Sequence, residues 1–235
     1  MSSLSTLKFF VTPSHDCSYL EGKKARTLFV DPKADITEDK YSELSDLGFR
    51  RSGNFIYRPH CDECNQCIPV RVAVNNFTPS KRQKRIWNKN QELDINVLAP
   101  EFRQEHYELY QYYINTRHKD GDMHPTSEEQ YKTFVLKDWG RTLFIEFRRH
   151  NRLMAVAVTD RLDNGLSSIY TFFDPDEPQL SLGVYGVLTQ IEYAKSMDLP
   201  YLYLGYWIKE CQKMSYKTEY KPIEALIDNE WQKMP

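Results

Sequence analysis

The stretch YRPHCDECNQCIPVRV, residues 57–72, carries three of the chain's five cysteines in a C-x2-C-x2-C run. Thiolates spaced this way on a loop can converge on one ion, and the run resembles the first three ligands of iron–sulfur ferredoxin loops. No fourth cysteine follows nearby. Closing a tetrahedral site on Cys61, Cys64 and Cys67 therefore requires the fold to bring in Cys17, His15 or His60. Zinc, an iron–sulfur cluster and free buried thiols all stay open on this pattern.

Three further stretches could do chemistry. YLYLGYWIKECQKMSYKTEYKP packs Tyr203, Tyr206, Lys213, Tyr216, Lys217 and Tyr220 into one segment. Lysines beside aromatic rings can hold a carboxylate or phosphate, or form a solvated helix face. TPSKRQKRIWNKNQ carries Lys81, Arg82, Lys84, Arg85 and Lys89 without an acid among them. Such a helix can track a phosphate backbone with salt-sensitive affinity, or simply lay Ile86 and Trp87 on a core. In QLSLGVYG, the small residues Ser181, Gly183 and Gly186 let a ligand approach the amides of a helix start that continues through Leu182, or let the helix pack closely on a neighbour. His106, His118 and His124 have no serine elbow near them, so a nucleophilic triad is not expected.

These segments need a frame. The chain has 235 residues, a net charge of −2 and 27% charged residues, so any contact with nucleic acid must be local. No apolar run reaches signal-peptide or membrane-span length, which predicts a cytoplasmic protein with reduced cysteines and no membrane partner. DITEDKYSELSDLGF predicts a helix capped by Thr37, and Ser80 caps the basic helix. FIYRP and IPVRVAV alternate like strands and are expected to flank the cysteine loop as two arms of a hairpin. Thr126 and Glu129 are spaced as a capping box. TLFIEFRR, LMAVAVTDR and SSIYTFFDP then follow as three strands separated by turn residues. A helix from Ser181, the strand YLYLGY, a short helix and the strand IEALI complete the order. That succession is the order of N-acetyltransferase-like acyltransferases, in which the acyl donor binds where the fourth and fifth strands splay apart. Acetyl-coenzyme A members carry a differently spaced glycine motif, so coenzyme A is not the expected donor. The expected class is α+β: a small cysteine-containing N-terminal α/β domain at 1–98 and a GNAT-like transferase domain at 99–235.

Taken together, CSYL, FRRSGNFIYRPHCDECNQCIPVRV with FTPSKRQKR, and SSIYTFFDPDEPQLSLGVYGVLTQIEYA joined to YLYLGYWIKECQKMSYKTEYKP resemble the aminoacyl-tRNA-protein transferases of the N-degron pathway. The likeness covers essentially the whole chain and is strongest to the bacterial branch that donates leucine. Eukaryotic arginyltransferases look similar in the same blocks but carry adjacent cysteines where this chain has CNQC. That departure bears on any zinc or iron–sulfur carry-over, for which Cys17 and Cys67 match best. The resemblance implies transfer of leucine from Leu-tRNA to the α-amine of proteins beginning with Asp or Glu, with Leu-tRNA as cosubstrate, no required cofactor and no DNA partner. It implies a cationic fork for the acceptor, read here as Arg71, Lys213 and Lys217, with Tyr206 and Tyr220 orienting the amine or oxyanion. The tRNA 3′ end is expected at Ser181–Gly186 and the acceptor stem on Lys81, Arg82, Lys84 and Arg85. Two other readings compete: arginine as the donated residue, kept open by Asp160, and a non-catalytic metal-bearing RNA-binding module.

Overall fold

The structure is a computed structural model that describes residues 4–119, 121, 123–136 and 141–234. The chain opens with β1 (Phe9–Val11), β2 (His15–Asp16), β3 (Lys24–Ala25), β4 (Thr27–Val30), α1 (Glu38–Asp46), β5 (Arg50–Ser52), β6 (Phe55–Pro59) and β7 (Ile68–Ala73). It continues with α2 (Lys81–Lys89), β8 (Asp94–Leu98), α3 (Gln104–Arg117), α4 (Glu128–Val135), β9 (Thr142–Arg149), β10 (Arg152–Leu162) and β11 (Gly165–Phe173). Then come α5 (Leu182–Ser196), β12 (Tyr201–Trp207), α6 (Gln212–Ser215), β13 (Ile223–Ile227) and β14 (Glu230–Lys233).

The expected meander is present. His150 and Asn151 both take positive φ, 49° and 68°, closing the β9–β10 turn with the backbone twist that two-residue hairpins prefer. Leu153 through Asp160 of β10 are all buried, the mark of a central strand covered on both faces. Helix α5 then crosses over the sheet, so β12 returns parallel to β11. The large sheet has the order β14-β13-β7-β12-β11-β10-β9-β8, and a smaller one has the order β1-β4-β6-β5. The mixed α/β class with a large sheet thus holds.

The expected cysteine hairpin does not form. β6 pairs with β4 and β5 in the small sheet, while β7 enters the large sheet between β12 and β13. The reason lies in β7 itself: Val70, Arg71 and Val72 are all buried, so the strand needs a partner on each edge and cover on each face. The cysteine loop is therefore a crossover between sheets. β7 and β8, both within residues 1–98, are strands of the large sheet. β8 is an edge strand on β9 that the sequence reading does not include.

Caps follow local chemistry. Thr37 and Ser80 cap α1 and α2 as expected, and Ser80 with Gln83 closes a full capping box. At α4 the cap is Ser127, which accepts from the Gln130 amide, one residue after the expected Thr126. Either hydroxyl is chemically competent, and the helix takes the one that buries Tyr131 and Val135.

The two sheets are clasped by a buried ion pair. Arg51 on β5 meets Asp160 on β10 through Nε at 2.5 Å and Nη2 at 2.9 Å, and the same carboxylate accepts from Tyr41 and Thr142. All four of its hydrogen bonds come from the protein, which offsets the cost of burying the charge.

Candidate functional site: the gap between two parallel strands

β11 and β12 pair for only three residues, Gly165–Ser167 against Tyr201–Tyr203. Beyond that point β12 stays paired with β7 alone, through Trp207, with a register shift between Tyr203 and Gly205. The splay expected from the element order is here, and Arg50 reaches into it. Its Nη2 donates to Ser168 O at 2.6 Å and more distantly to Ile169 O, and Nη1 donates to Ser167 Oγ at 3.4 Å. Gly205 makes room: its φ is +75°, and a Cβ there would stand 2.8 Å from Arg50 Nε. Glycine is needed twice over, for conformation and for space.

Lys217 lies next to this guanidinium. It is buried, and its Nζ donates to Tyr206 O and lies 3.3 Å from Met214 Sδ. Burial, and secondarily the Arg50 charge, lower its pKa from 10.5 to about 7. Among the described residues neither Arg50 nor Lys217 meets a carboxylate. Arg51, Arg71 and Arg148, by contrast, are each closed by one or more acids. Tyr19, Tyr57, Tyr206 and Tyr216 surround the two cations closely enough to feel the Arg50 charge, and burial raises the pKa of each phenol. They are neutral hydrogen-bonding groups at physiological pH.

The sequence-predicted residues divide sharply. Arg71 is held by Glu224 and Asp46, each at 2.8 Å, by the Tyr203 hydroxyl at 3.0 Å, and by the Tyr201 and Trp231 rings. Its charge is already answered inside the fold. Lys213 is exposed near the end of α3, where its charge helps lower the pKa of His118. Tyr206 spends its hydroxyl on Gly48 O at 2.9 Å, and Tyr220 is buried against Phe77. Asp160, the group that kept a donated arginine open, is saturated by Arg51, Tyr41 and Thr142.

At the start of α5, Ser181 takes a left-handed conformation with φ 51°. A Cβ at Gly183 would sit 3.2 Å from the Phe173 ring, and one at Gly186 would sit 3.4 Å from Thr171. These glycines let α5 pack closely on β11, beside the splay. Helix α2 spans the same region. Gln83 Nε2 donates to Glu219 O, while Asn90 donates to Leu180 O just ahead of α5. Lys81, Lys84, Arg85 and Lys89 point outward, and Arg82 pairs with Glu219 at 2.6 Å.

Cys17, Cys61, Cys64 and Cys67 are all free and half-buried. Burial, reinforced by the neighbouring thiols Cys61, Cys17, Cys64 and Cys211, pushes Cys67 up to about 12, so it is a protonated thiol rather than a ready thiolate. Among the described residues no three His, Cys, Asp or Glu side chains are arranged to hold a metal ion. Cys17, Cys61 and Cys64 nevertheless lie near enough to Cys67 to raise its pKa, on a loop whose flanking strands β6 and β7 belong to different sheets.

Arg50 is the functional candidate that sequence reasoning missed. Its signal was the Arg-Arg pair in FRRSGN, where one side chain of consecutive strand residues must face each way.

Comparison with known proteins agrees across the chain. Residues 15–85 match the family described as arginine-tRNA-protein transferase, N terminus, and residues 105–227 match arginine-tRNA-protein transferase, C terminus. The chain is 54% identical to the aspartate/glutamate leucyltransferase of Hahella chejuensis, over 98% of this chain and 99% of that one. Against the protein of the same name from Alcanivorax borkumensis it is 56% identical, covering 98% and 96%. Among solved structures, L-PGS from Bacillus licheniformis aligns at 13% identity with a TM-score of 0.47, covering 74% of this chain and 53% of that one. No helix among the described residues is long and apolar enough to cross a membrane. Matched in both halves and aligned end to end with curated relatives, the chain belongs to the arginine-tRNA-protein transferase family.

Proposed function

We propose that this chain is the leucine-donating member that its relatives' names describe: an aminoacyltransferase that moves leucine from Leu-tRNA to the α-amine of proteins beginning with Asp or Glu. The observation that carries the reading of the site is the pair of basic groups in the splay, Arg50 and Lys217, which no carboxylate among the described residues answers. An N-terminal Asp or Glu side chain supplies the missing anion. Arg50 receives it with its planar fork, and Lys217 adds positive potential behind it. Arg71, already closed by Glu224 and Asp46, supports β7 and β13 rather than the acceptor. A donated arginine would need an acid to receive it, and Asp160 has no bond left to offer.

The chemistry asks little covalent help. The acceptor amine attacks the ester carbon, the new C–N bond forms, and the C–O bond to ribose breaks. The amine gives up one proton and the departing ribose oxygen gains one. What the enzyme must supply is position and stabilisation of the tetrahedral oxyanion. The surrounding phenols are protonated donors for that purpose. The acceptor stem lies along α2, whose ends are tied to both sides of the site, and the 3′ end reaches the start of α5. The product, a protein with leucine at its N-terminus, enters the N-degron pathway.

The test combines purified protein, a peptide beginning with Asp, and separately charged Leu-tRNA and Arg-tRNA, with the peptide weighed by mass spectrometry. A leucine-sized gain is expected. An arginine-sized gain would overturn the donor assignment, and no gain with tight tRNA binding would favour the non-catalytic RNA-binding module.

A further inference from the structure

A cavity of about 170 Å3 opens between α2 and α5, lined by Phe77, Pro79, Trp87 and Leu188 together with the polar side chains of Lys84, Asn88 and Glu192. At roughly 30 Å3 per water it has room for about six waters, the bulk of one planar heterocycle. Its walls are two aromatic rings and aliphatic carbon, the surface on which a base stacks. The Asn88 amide is exposed and can both donate and accept. Glu192 would repel a phosphate, but Lys195 neutralises it at 2.7 Å. On α2, Lys81, Lys84, Arg85 and Lys89 are exposed, Lys84 within the cavity lining, and among the described residues none of them meets a carboxylate. Arg82 on the same helix does, through Glu219.

We infer that this cavity receives one unstacked base of the bound RNA while the α2 cations hold the phosphates on either side of it. The inference rests on the reading that tRNA lies along α2 and adds where a nucleotide leaves the stack. A solvated helix face would need no cavity beneath it, and an acidic peptide would need no aromatic walls. The combination of ring surface, one amide and flanking cations suits an unpaired nucleotide.

The experiment compares affinity and its salt dependence for full-length tRNA and for a blunt RNA duplex with no unpaired nucleotide. Asn88→Trp fills the cavity from an exposed position. It should weaken tRNA binding about tenfold with the salt slope unchanged, and leave the duplex unaffected. Lys81→Ala with Arg85→Ala should weaken both RNAs and flatten the slope by about one to two. Unchanged tRNA affinity in Asn88→Trp, or equal weakening of both RNAs, overturns the base site while leaving RNA on α2 standing. No effect of the double alanine variant overturns the reading of α2 itself. If Asn88→Trp instead lowers only the turnover of Asp-peptides, the cavity belongs to the protein acceptor and the inference is wrong.

Discussion

Arg50 and Arg51 are neighbours on one short strand, and the fold treats them in opposite ways. Arg51 turns toward β10 and is closed on Asp160, a carboxylate whose remaining bonds go to Tyr41 and Thr142. Arg50 turns toward β11 and among the described residues finds only carbonyls and one hydroxyl. A buried cation that serves the fold is given an anion, because leaving it without one costs several kcal/mol. A cation left among weaker acceptors, beside a second in the same state, is one whose partner arrives from outside. Alternation along a strand produces both fates from an Arg-Arg dipeptide.

The largest effect expected from breaking this contrast is on the clasp. Arg51→Ala strands Asp160 in the interior and should lower unfolding stability by about 4 kcal/mol, read as a shift in urea midpoint. The double variant Arg51→Ala with Asp160→Ala should recover part of that loss, since no charge is then left buried alone. A loss under about 1 kcal/mol in the single variant would mean that the pair is not the tie between the sheets.

Next in size is Arg50→Ala. Removing one partner of a charged acceptor contact should lower kcat/KM for an Asp-peptide by about 100-fold, or about 3 kcal/mol. Stability should move less than activity, because Arg50 is only half-buried and among the described residues leaves no carboxylate stranded when it is removed. The decisive comparison is selectivity: the preference for N-terminal Asp over Asn should collapse in Arg50→Ala and persist in Arg71→Met, provided that the latter folds. Retained Asp preference in Arg50→Ala would remove this residue from the acceptor site.

Lys217 sharpens the contrast through pH. Its pKa in the fold is about 7 against 10.5 for an ordinary lysine, so between those values the unfolded chain binds a proton that the folded chain does not. Stability contributed by this site therefore falls as pH drops from 10.5 toward 7 and is level below that. Lys217→Met should accordingly be more stable than the parent by about 2 kcal/mol at pH 7, with the gain vanishing above pH ~11. Its transfer activity should be lost in the same sample. A less stable variant would show that the lysine serves packing rather than the site.

The elements of the molecule were legible where local chemistry decides them. Thr37, Ser80 and the His150-Asn151 turn set boundaries through short-range hydrogen bonds and allowed φ, and the strand–helix–strand order gave the splay its place. Pairing was less legible, because β6 and β7 read alike as alternating strands and only their neighbours assign them to different sheets. The same limit governed the site. Arg71 and Arg50 are both strand arginines, and nothing in IPVR or FRRS shows that Glu224 and Asp46 wait for one and not the other. The cysteine spacing could state which thiols were near in sequence, but not that their flanking strands part.

A third titratable cluster, built entirely for structure, supplies the smallest effect and a control. His106 is fully buried between α3 and β9, its Nε2–H donating to Glu146 at 2.5 Å while Nδ1 has no partner among the described residues. Burial holds it below the ordinary histidine value of 6.5 even though Glu146 pulls the other way, and Arg148 and Arg103 keep that carboxylate charged. The unfolded chain takes up a proton near pH 6.5 that the fold refuses, so this contribution is present above pH 6.5 and is lost as pH falls below it. Urea midpoints measured at pH 7.5 and 5.5 should differ by about 1 kcal/mol in stability from this group, and His106→Gln should remove that part of the slope. The window lies below that of Lys217, so one titration separates the two regions: the structural cluster responds on the acid side and leaves Asp-over-Asn selectivity untouched, whereas the splay responds from neutral pH upward. An acid slope that survived His106→Gln would assign it to the surface carboxylates instead.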